Sequence, residues 1–148
     1  MTLSVATARQ RIAASLEALN GWSESRWTGT TWPAQETREA HLRFAVVPGD
    51  TVYQASIESA RGRRPDDVGS LVTTTFRVLW VYRLRADAAV ADTDLMLAAE
   101  DTAVEAILAT SRAGGLRLAI VRRSRNTAGD GTYSLGEIEV AALHQVPI

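Results

Sequence analysis

A strict alternation of side chains runs through residues 71–85 and predicts one long β-strand. One face of this strand carries Thr74, Phe76, Val78, Trp80, Tyr82 and Leu84. The opposite face carries Arg77, Arg83 and Arg85 together with Leu79 and Val81. Because successive side chains on a strand point to opposite faces, we expect the first face to be packed and the second to be partly solvated.

Residues 4–19 show the helical period and predict a first helix with a single apolar stripe. The stripe consists of Val5, Ala8, Ile12, Leu16 and Leu19. The dipeptide Asn20-Gly21 follows it and favours the left-handed conformation in which many helices end. We therefore expect this helix to cover another element with one side only.

A second helix is predicted after Asp92 and Asp94, which are residue types favoured at a helix N-terminus. Its broad apolar arc contains Leu95, Met96, Leu97, Val104, Ile107 and Leu108. The opposite side carries an acidic stripe of Asp94, Asp101 and Glu105. Glu100 lies within the apolar arc, and the pair Gly114-Gly115 ends the helix.

Four further segments alternate as strands. Residues 41–47 and 51–59 flank Pro48-Gly49-Asp50 and predict a hairpin, and residues 116–123 and 133–146 flank a turn at 128–131 and predict a second one. The predicted order is αβββαββ. The predicted fold class is α+β, with an antiparallel sheet packed against two helices in a single domain spanning residues 1–148.

Composition narrows the class of protein. A chain of 148 residues with 46% apolar content is enough for one domain that buries roughly 70% of its unfolded surface. The absence of cysteine excludes disulfides, thiolate metal sites and cysteine nucleophiles. No segment approaches the ~20 apolar residues of a membrane span, and we expect no export signal. The net charge of −1 argues against wholesale wrapping of nucleic acid.

Candidate catalytic and ligand-binding motifs are weak. His41 and His144 lack the partners of a metal or triad motif, and Glu137 and Glu139 have the spacing of a solvated strand face. Residues 129–131 contain two glycines, but no helix follows them as a phosphate-binding loop requires. We therefore predict that the chain is not an enzyme and that it holds no metal or cofactor.

Trp22, Trp27 and Trp32 recur at intervals of five in a polar segment, residues 22–40, and this spacing fits neither a helix nor a strand. Tryptophan side chains in a loop can stack on sugars or bases or fill a partner's pocket. More often they anchor a long loop to its own core, and we favour that interpretation.

Charge is unevenly distributed along the chain. Residues 86–110 contain six acids and no base, namely Asp87, Asp92, Asp94, Glu100, Asp101 and Glu105. Residues 111–125 contain five arginines and no acid, namely Arg112, Arg117, Arg122, Arg123 and Arg125. The two segments are either solvated surfaces of different sign or the two halves of a heterologous contact that closes a ring. In a ring, Glu100 would be an interface residue.

The layout of the chain resembles the tail terminator proteins of long-tailed bacteriophages. The resemblance spans residues 1–148 and lies in the element order, in the long third strand that enters a helix through ADTDLMLAAEDTAVEAIL, and in a closing hairpin that contains GEIEVAALHQV. Related neck proteins share this layout.

The resemblance implies a structural protein without catalytic residues. Such a protein forms a hexameric ring that caps the tail tube, stops tube polymerisation and presents the surface for the head completion (connector) protein. DNA passes through the lumen without specific binding. The expected location is the head-proximal end of the tail in the virion, and the host cytoplasm during assembly.

Charge and loop position suggest which residues would serve a ring. The candidates for a subunit interface or lumen are Asp94, Glu100, Asp101, Glu105, Arg117, Arg122 and Arg123. The candidates for contact with a neighbouring ring are Arg61, Arg63 and Arg64. Two alternatives remain open: another neck connector, such as a head completion protein, and a small carbohydrate- or ligand-binding domain that uses the tryptophan loop.

Overall fold

A five-stranded sheet with both helices on one face forms the centre of the structure. The computed structural model describes residues 2–25, 41–54, 70–85, 87–111, 115–128 and 131–147. In chain order the elements are α1 (Val5–Glu17), β1 (Ser23–Glu24), β2 (Arg43–Tyr53), β3 (Ser70–Arg83), α2 (Ala89–Thr110), β4 (Arg117–Ala128) and β5 (Tyr133–Val146).

The strand order in the sheet is β1-β2-β3-β5-β4. The four long strands are antiparallel to their neighbours, whereas the two-residue β1 is parallel to β2. The predicted α+β class is therefore confirmed, but the sheet is mixed instead of purely antiparallel. Strands β3 and β5 lie at its centre and pair along their whole length.

The hairpin predicted around residues 48–50 is wrong, because residues 43–53 form one continuous strand. Pro48 pairs with Phe76 and Thr51 with Thr74, so that a bulge absorbs the residues between them. The backbone of Phe44 points away from β3, since its carbonyl accepts from Ser25 N. Pro48 lies four residues further along the strand, so its backbone also points away from β3. The N–H group that proline lacks would therefore not have formed a hydrogen bond to β3.

The helices cover the face of the sheet that we call the first sheet face. The alternation predicted for β3 is confirmed, because Thr74, Phe76, Val78, Trp80, Tyr82 and Leu84 are all buried. The five apolar and aromatic members of this set pack with Ile12 and Leu16 of α1 and with Met96 and Ile107 of α2. Helix α1 packs over β1 and β2, and α2 packs over β4.

The opposite side, the second sheet face, is more polar. On β3 it carries Arg77, Leu79, Val81 and Arg83. Leu79 and Val81 are buried, whereas Arg77 is half-buried and Arg83 is exposed. None of the described helices lies on this face, so the predicted division of β3 into a packed and a partly solvated face is correct.

Both helices begin and end close to the predicted positions. Ser4 caps α1 by accepting a hydrogen bond from Thr7 N at 3.0 Å, and Gly21 adopts the expected positive φ of 86°. Helix α2 begins at Ala89, so Asp92 lies in its first turn, as the helix dipole favours, but does not cap it. The predicted arc of α2 is also too broad, because Leu95 is 54% exposed.

The second hairpin has the predicted form. Strand β5 covers residues 133–146 as expected, while β4 extends five residues beyond its predicted end at residue 123. A bulge between Ile120 and Arg122 interrupts the pairing of the two strands. Beyond it, residues 121–127 are exposed on both faces of β4, and no described strand pairs with its outer edge.

A buried hydrogen-bond chain ties the N-terminal segment to the sheet. Leu3 N donates to Gln145 O, and His144 Nδ1 donates to Leu3 O at 2.9 Å. In the neutral ring, Nε2 then accepts from Thr74 Oγ1, which in turn accepts from Thr51 Oγ1. His144 therefore has a structural place, since it joins the N-terminal segment to three strands.

Gly136 is required by the position of the Trp80 ring. These two residues face each other across β3 and β5, and the indole lies where a side chain at residue 136 would stand. A Cβ at this position would overlap the indole nitrogen and its neighbouring ring carbons. The glycine thus lets the indole of Trp80, the largest fully buried side chain among the described residues, lie flat across β5.

We expect Gly136→Ala to lower the free energy of unfolding by about 3 kcal/mol, because the Trp80 ring must move within a packed core. Urea denaturation of wild type and variant measures the difference. Ser124→Ala, on the exposed part of β4, is the matched control and should change stability by less than about 0.5 kcal/mol. Equal stability of Gly136→Ala and wild type would show that the ring is free to shift.

Candidate functional site

The charged residues predicted to form an interface lie in three places. The side of α2 that faces away from the sheet exposes Asp94, Asp101 and Glu105. The second sheet face exposes Arg117 and Arg122, whose pairing with Leu143 and Glu139 places them opposite the helix layer. Glu100 and Arg123 lie between α2 and β4. Arg61, Arg63 and Arg64 lie outside the described residues.

Glu100 is a buried carboxylate with two arginine partners in the same chain. Its side chain is 1% exposed and accepts hydrogen bonds from Arg125 through both oxygens, with Arg125 Nη2 at 2.6 Å from Oε1. Arg123 Nη1 lies 3.5 Å from Glu100 Oε1 and 2.6 Å from Asp101 Oδ1. These contacts join the middle of α2 to the edge strand β4.

This cluster changes the interpretation of the uneven charge distribution. Part of the acidic segment and part of the basic segment are neighbours that pair within one subunit. The burial of Glu100 therefore has an explanation that involves no second subunit, and Arg123 is likewise engaged inside the chain. Its position in the apolar arc of α2 therefore does not indicate a subunit interface, because the charge is neutralised locally.

Three of the residues predicted to form an interface remain unpaired among the described residues. Asp94 and Glu105 on α2 and Arg117 on β4 make no ion pair there. Arg122 is only loosely held, since its Nε lies 3.6 Å from Glu139 Oε2 and its side chain is 65% exposed. These four residues are the part of the predicted interface set that is available to a partner.

Glu137 and Glu139 are structural members of the second sheet face. Arg77 donates to both oxygens of Glu137, with Nε at 2.6 Å from Oε1, and this hydrogen bonding lowers the pKa of Glu137. The Arg77–Glu137 and Arg122–Glu139 ion pairs form a ladder of charges across the adjacent strands β3, β5 and β4. Each glutamate thus stands beside an arginine, and the two carboxylate side chains are only 22% and 27% exposed.

A second ion pair connects the end of β3 to α2. Asp92 accepts from the guanidinium of Arg85, with Nη2 at 2.8 Å from Oδ1, and from the backbone N–H of Arg85 at 2.6 Å. Both sets of hydrogen bonds lower the pKa of Asp92. This contact was not predicted, because an aspartate at this position is also typical of a helix start; the seven-residue separation across the strand-to-helix turn is the signal that could have indicated it.

His41 packs at the same end of the sheet. Its Nδ1 accepts a hydrogen bond from Arg83 N at 3.1 Å, and its ring meets Tyr82 edge-on at a centroid distance of 4.6 Å. The desolvation caused by this packing lowers the pKa of His41, and the positive charge of Arg83 lowers it further, against the opposing charge of Asp92. His41 thus attaches the segment just before β2 to the end of β3.

Trp22 is part of the core. It is 7% exposed, and its ring lies 5.4 Å from that of Trp80 and 6.4 Å from that of Phe44. The interpretation of this residue as an anchor is confirmed, so Trp22 offers no surface for a sugar or a base. Trp27 and Trp32 lie outside the described residues.

No model of a protein family matches the chain, and no curated protein matches it. The described part of the chain holds no group of His, Asp or Glu side chains arranged to bind a metal ion. No described helix is long and apolar enough to cross a membrane.

We expect Glu100→Gln to lower the free energy of unfolding by about 2 kcal/mol, because the amide places a donor against the donors of a partly buried arginine pair. Guanidinium chloride denaturation measures the change. Asp101→Asn is the matched control: its side chain is 66% exposed, so we expect a loss of no more than about 1 kcal/mol. Equal losses in the two variants would mean that the burial of Glu100 adds nothing.

We expect acidification from pH 7.5 to 5.5 to destabilise the wild type through His41. The pKa of His41 is lowered in the folded state, so near pH 6.5 and below the unfolded chain binds a proton more readily than the folded protein does. The free energy of unfolding therefore decreases as the pH is lowered. His41→Asn keeps an acceptor for Arg83 N but cannot titrate, and should flatten this part of the dependence. Thermal denaturation across the range measures both slopes, and parallel slopes would contradict a contribution from His41.

Proposed function

We propose that the chain is a structural subunit of a ring at the head-proximal end of a long-tailed phage tail. In this role the ring caps the tail tube, ends its polymerisation and presents the docking surface for the head completion protein. The support is the resemblance in layout, the α+β fold with its long third strand, and the distribution of unpaired charge over the surface.

The observation that carries a ring is the separation of charge between the two sides of the subunit. The unpaired acids Asp94 and Glu105 lie on the outer side of the helix layer, and the basic residues Arg117 and Arg122 lie on the second sheet face. Two complementary surfaces on opposite sides of one subunit favour a head-to-tail contact. A head-to-tail contact that repeats around an axis closes into a ring.

DNA passage is compatible with this charge distribution. The chain has a net charge of −1, and Arg123 and Arg125 are engaged with Glu100 and Asp101. A lumen formed by such subunits offers few free cations to the phosphates, so it retains duplex DNA weakly. A strongly basic lumen would instead slow the passage of the genome.

We expect native mass spectrometry to detect a closed six-subunit species when the purified protein is mixed with tail tubes of its own phage. Negative-stain electron microscopy should show the added density at one end of each tube, and tubes polymerised in its presence should stop growing. Tail tube protein alone is the control for uncapped growth. A protein that stays strictly monomeric, both alone and with tubes, would overturn the proposal.

A further inference from the structure

The outer surface of α2 has the composition of a contact surface. Apart from the three acids it exposes Val90, Leu95 and Leu108, which are 82%, 54% and 39% exposed. Acids and large apolar side chains thus share one side of the helix, and no base occurs anywhere in α2. We call the side formed by these six residues the outer helix surface.

The second sheet face has the opposite sign. The paired strands place five arginines and two glutamates on it, a net charge of +3: Arg43, Arg77, Arg83, Arg117, Arg122, Glu137 and Glu139. Its half on β4 and β5 is accessible, because Ala119 is exposed between Arg117 and Arg122, Ser124 is exposed beyond Arg122, and Leu143 is half-buried. This half offers both positive charge and apolar area.

The spacing of the charges on the two surfaces agrees. Asp94 and Glu105 are eleven residues apart on a helix, which places them about 16 Å apart along its axis. Arg117 and Arg122 are five residues apart on a strand with one bulge, which places them about 15 Å apart. One helix laid along β4 can therefore bring both acids to both arginines at once.

The charges also select the partner. Two outer helix surfaces would place acid against acid, and two second sheet faces would place arginine against arginine; both arrangements are repulsive. Within one subunit the two surfaces lie on opposite sides of the sheet and cannot meet. The complement that is available to each surface is the other surface on a second copy of the chain.

We infer that the outer helix surface of one subunit docks on the β4–β5 half of the second sheet face of the next. Asp94 and Glu105 meet Arg117 and Arg122, while Leu95 and Leu108 lie against the apolar positions between the charges. This contact names the two surfaces of the proposed ring and rests on that proposed function. Glu100 and Arg123 stay inside the subunit and take no part in it.

Two charge-reversal variants test the contact. The helix variant carries Asp94→Arg and Glu105→Arg, and the sheet variant carries Arg117→Glu and Arg122→Glu; all four positions are exposed. Each variant alone opposes like charges, so we expect self-association at least about tenfold weaker than in the wild type. Native mass spectrometry and sedimentation velocity over a concentration series measure it, with and without tail tubes.

Mixing the two variants gives the sharper result. A helix variant has two positive surfaces and a sheet variant two negative ones, so an equal mixture can alternate with every contact complementary. We expect the mixture to assemble like the wild type into species with equal numbers of both variants. Assembly should also weaken between about 50 mM and 500 mM salt, because exposed charge pairs are screened.

Control variants separate charge from folding. Glu17→Arg with Asp50→Arg reverses two exposed acids away from the outer helix surface and should leave assembly unchanged. Circular dichroism and the melting temperature verify that each variant is folded. A substitution of Glu100 is unsuitable here, because it disturbs a buried pair and so tests folding.

The outcomes distinguish this inference from the function on which it rests. A wild type that forms rings, with both variants forming them equally well, overturns the docking surfaces and leaves the ring function standing. A wild-type assembly that is not a ring, lost in each variant and restored in the mixture, supports the docking surfaces and overturns the ring. A wild type that is monomeric under all conditions overturns both.

Discussion

The pairing of Glu100 with Arg125 and Arg123 is the interaction that determines how the helix layer meets the sheet. A carboxylate that is 1% exposed is costly to bury unless cations stand beside it, and among the described residues β4 supplies them. The helix is therefore held over the edge strand in one rotational setting. In that setting Met96, Ala103 and Ile107 point into the core, and Asp94 and Glu105 point away from it.

The surface of the subunit follows from this setting. Asp92 and Glu100 pair with arginines inside the chain and are buried, whereas Asp94, Asp101 and Glu105 stay exposed on one side of α2. The arginines of the second sheet face are separated from them by the full thickness of the sheet and of the helix layer. A near-neutral chain thus presents two sides of opposite sign, which is the physical basis of the proposed head-to-tail assembly.

Several local features show where pattern and structure disagree. Pro48 and Gly49 have the chemistry of a turn, but an edge position and a bulge let the chain continue as a strand. Asp92 is a residue type favoured at a helix start, but its carboxylate also binds Arg85, which lies seven residues earlier in the chain. In both places the local preference is real, and a tertiary contact decides which of two acceptable conformations forms.

The sequence by itself determined the two helices, the packed and solvated faces of β3, the bounds of β5 and the α+β class, because these depend on periodicities that one element carries alone. It also identified Glu100 as an anomaly. Only the tertiary structure showed that Arg125 neutralises it, that Trp22 packs against Trp80 and Phe44, and that Gly136 makes room for Trp80. Those facts depend on which segments become neighbours, and strand order and register are properties of the assembled sheet that no single segment encodes.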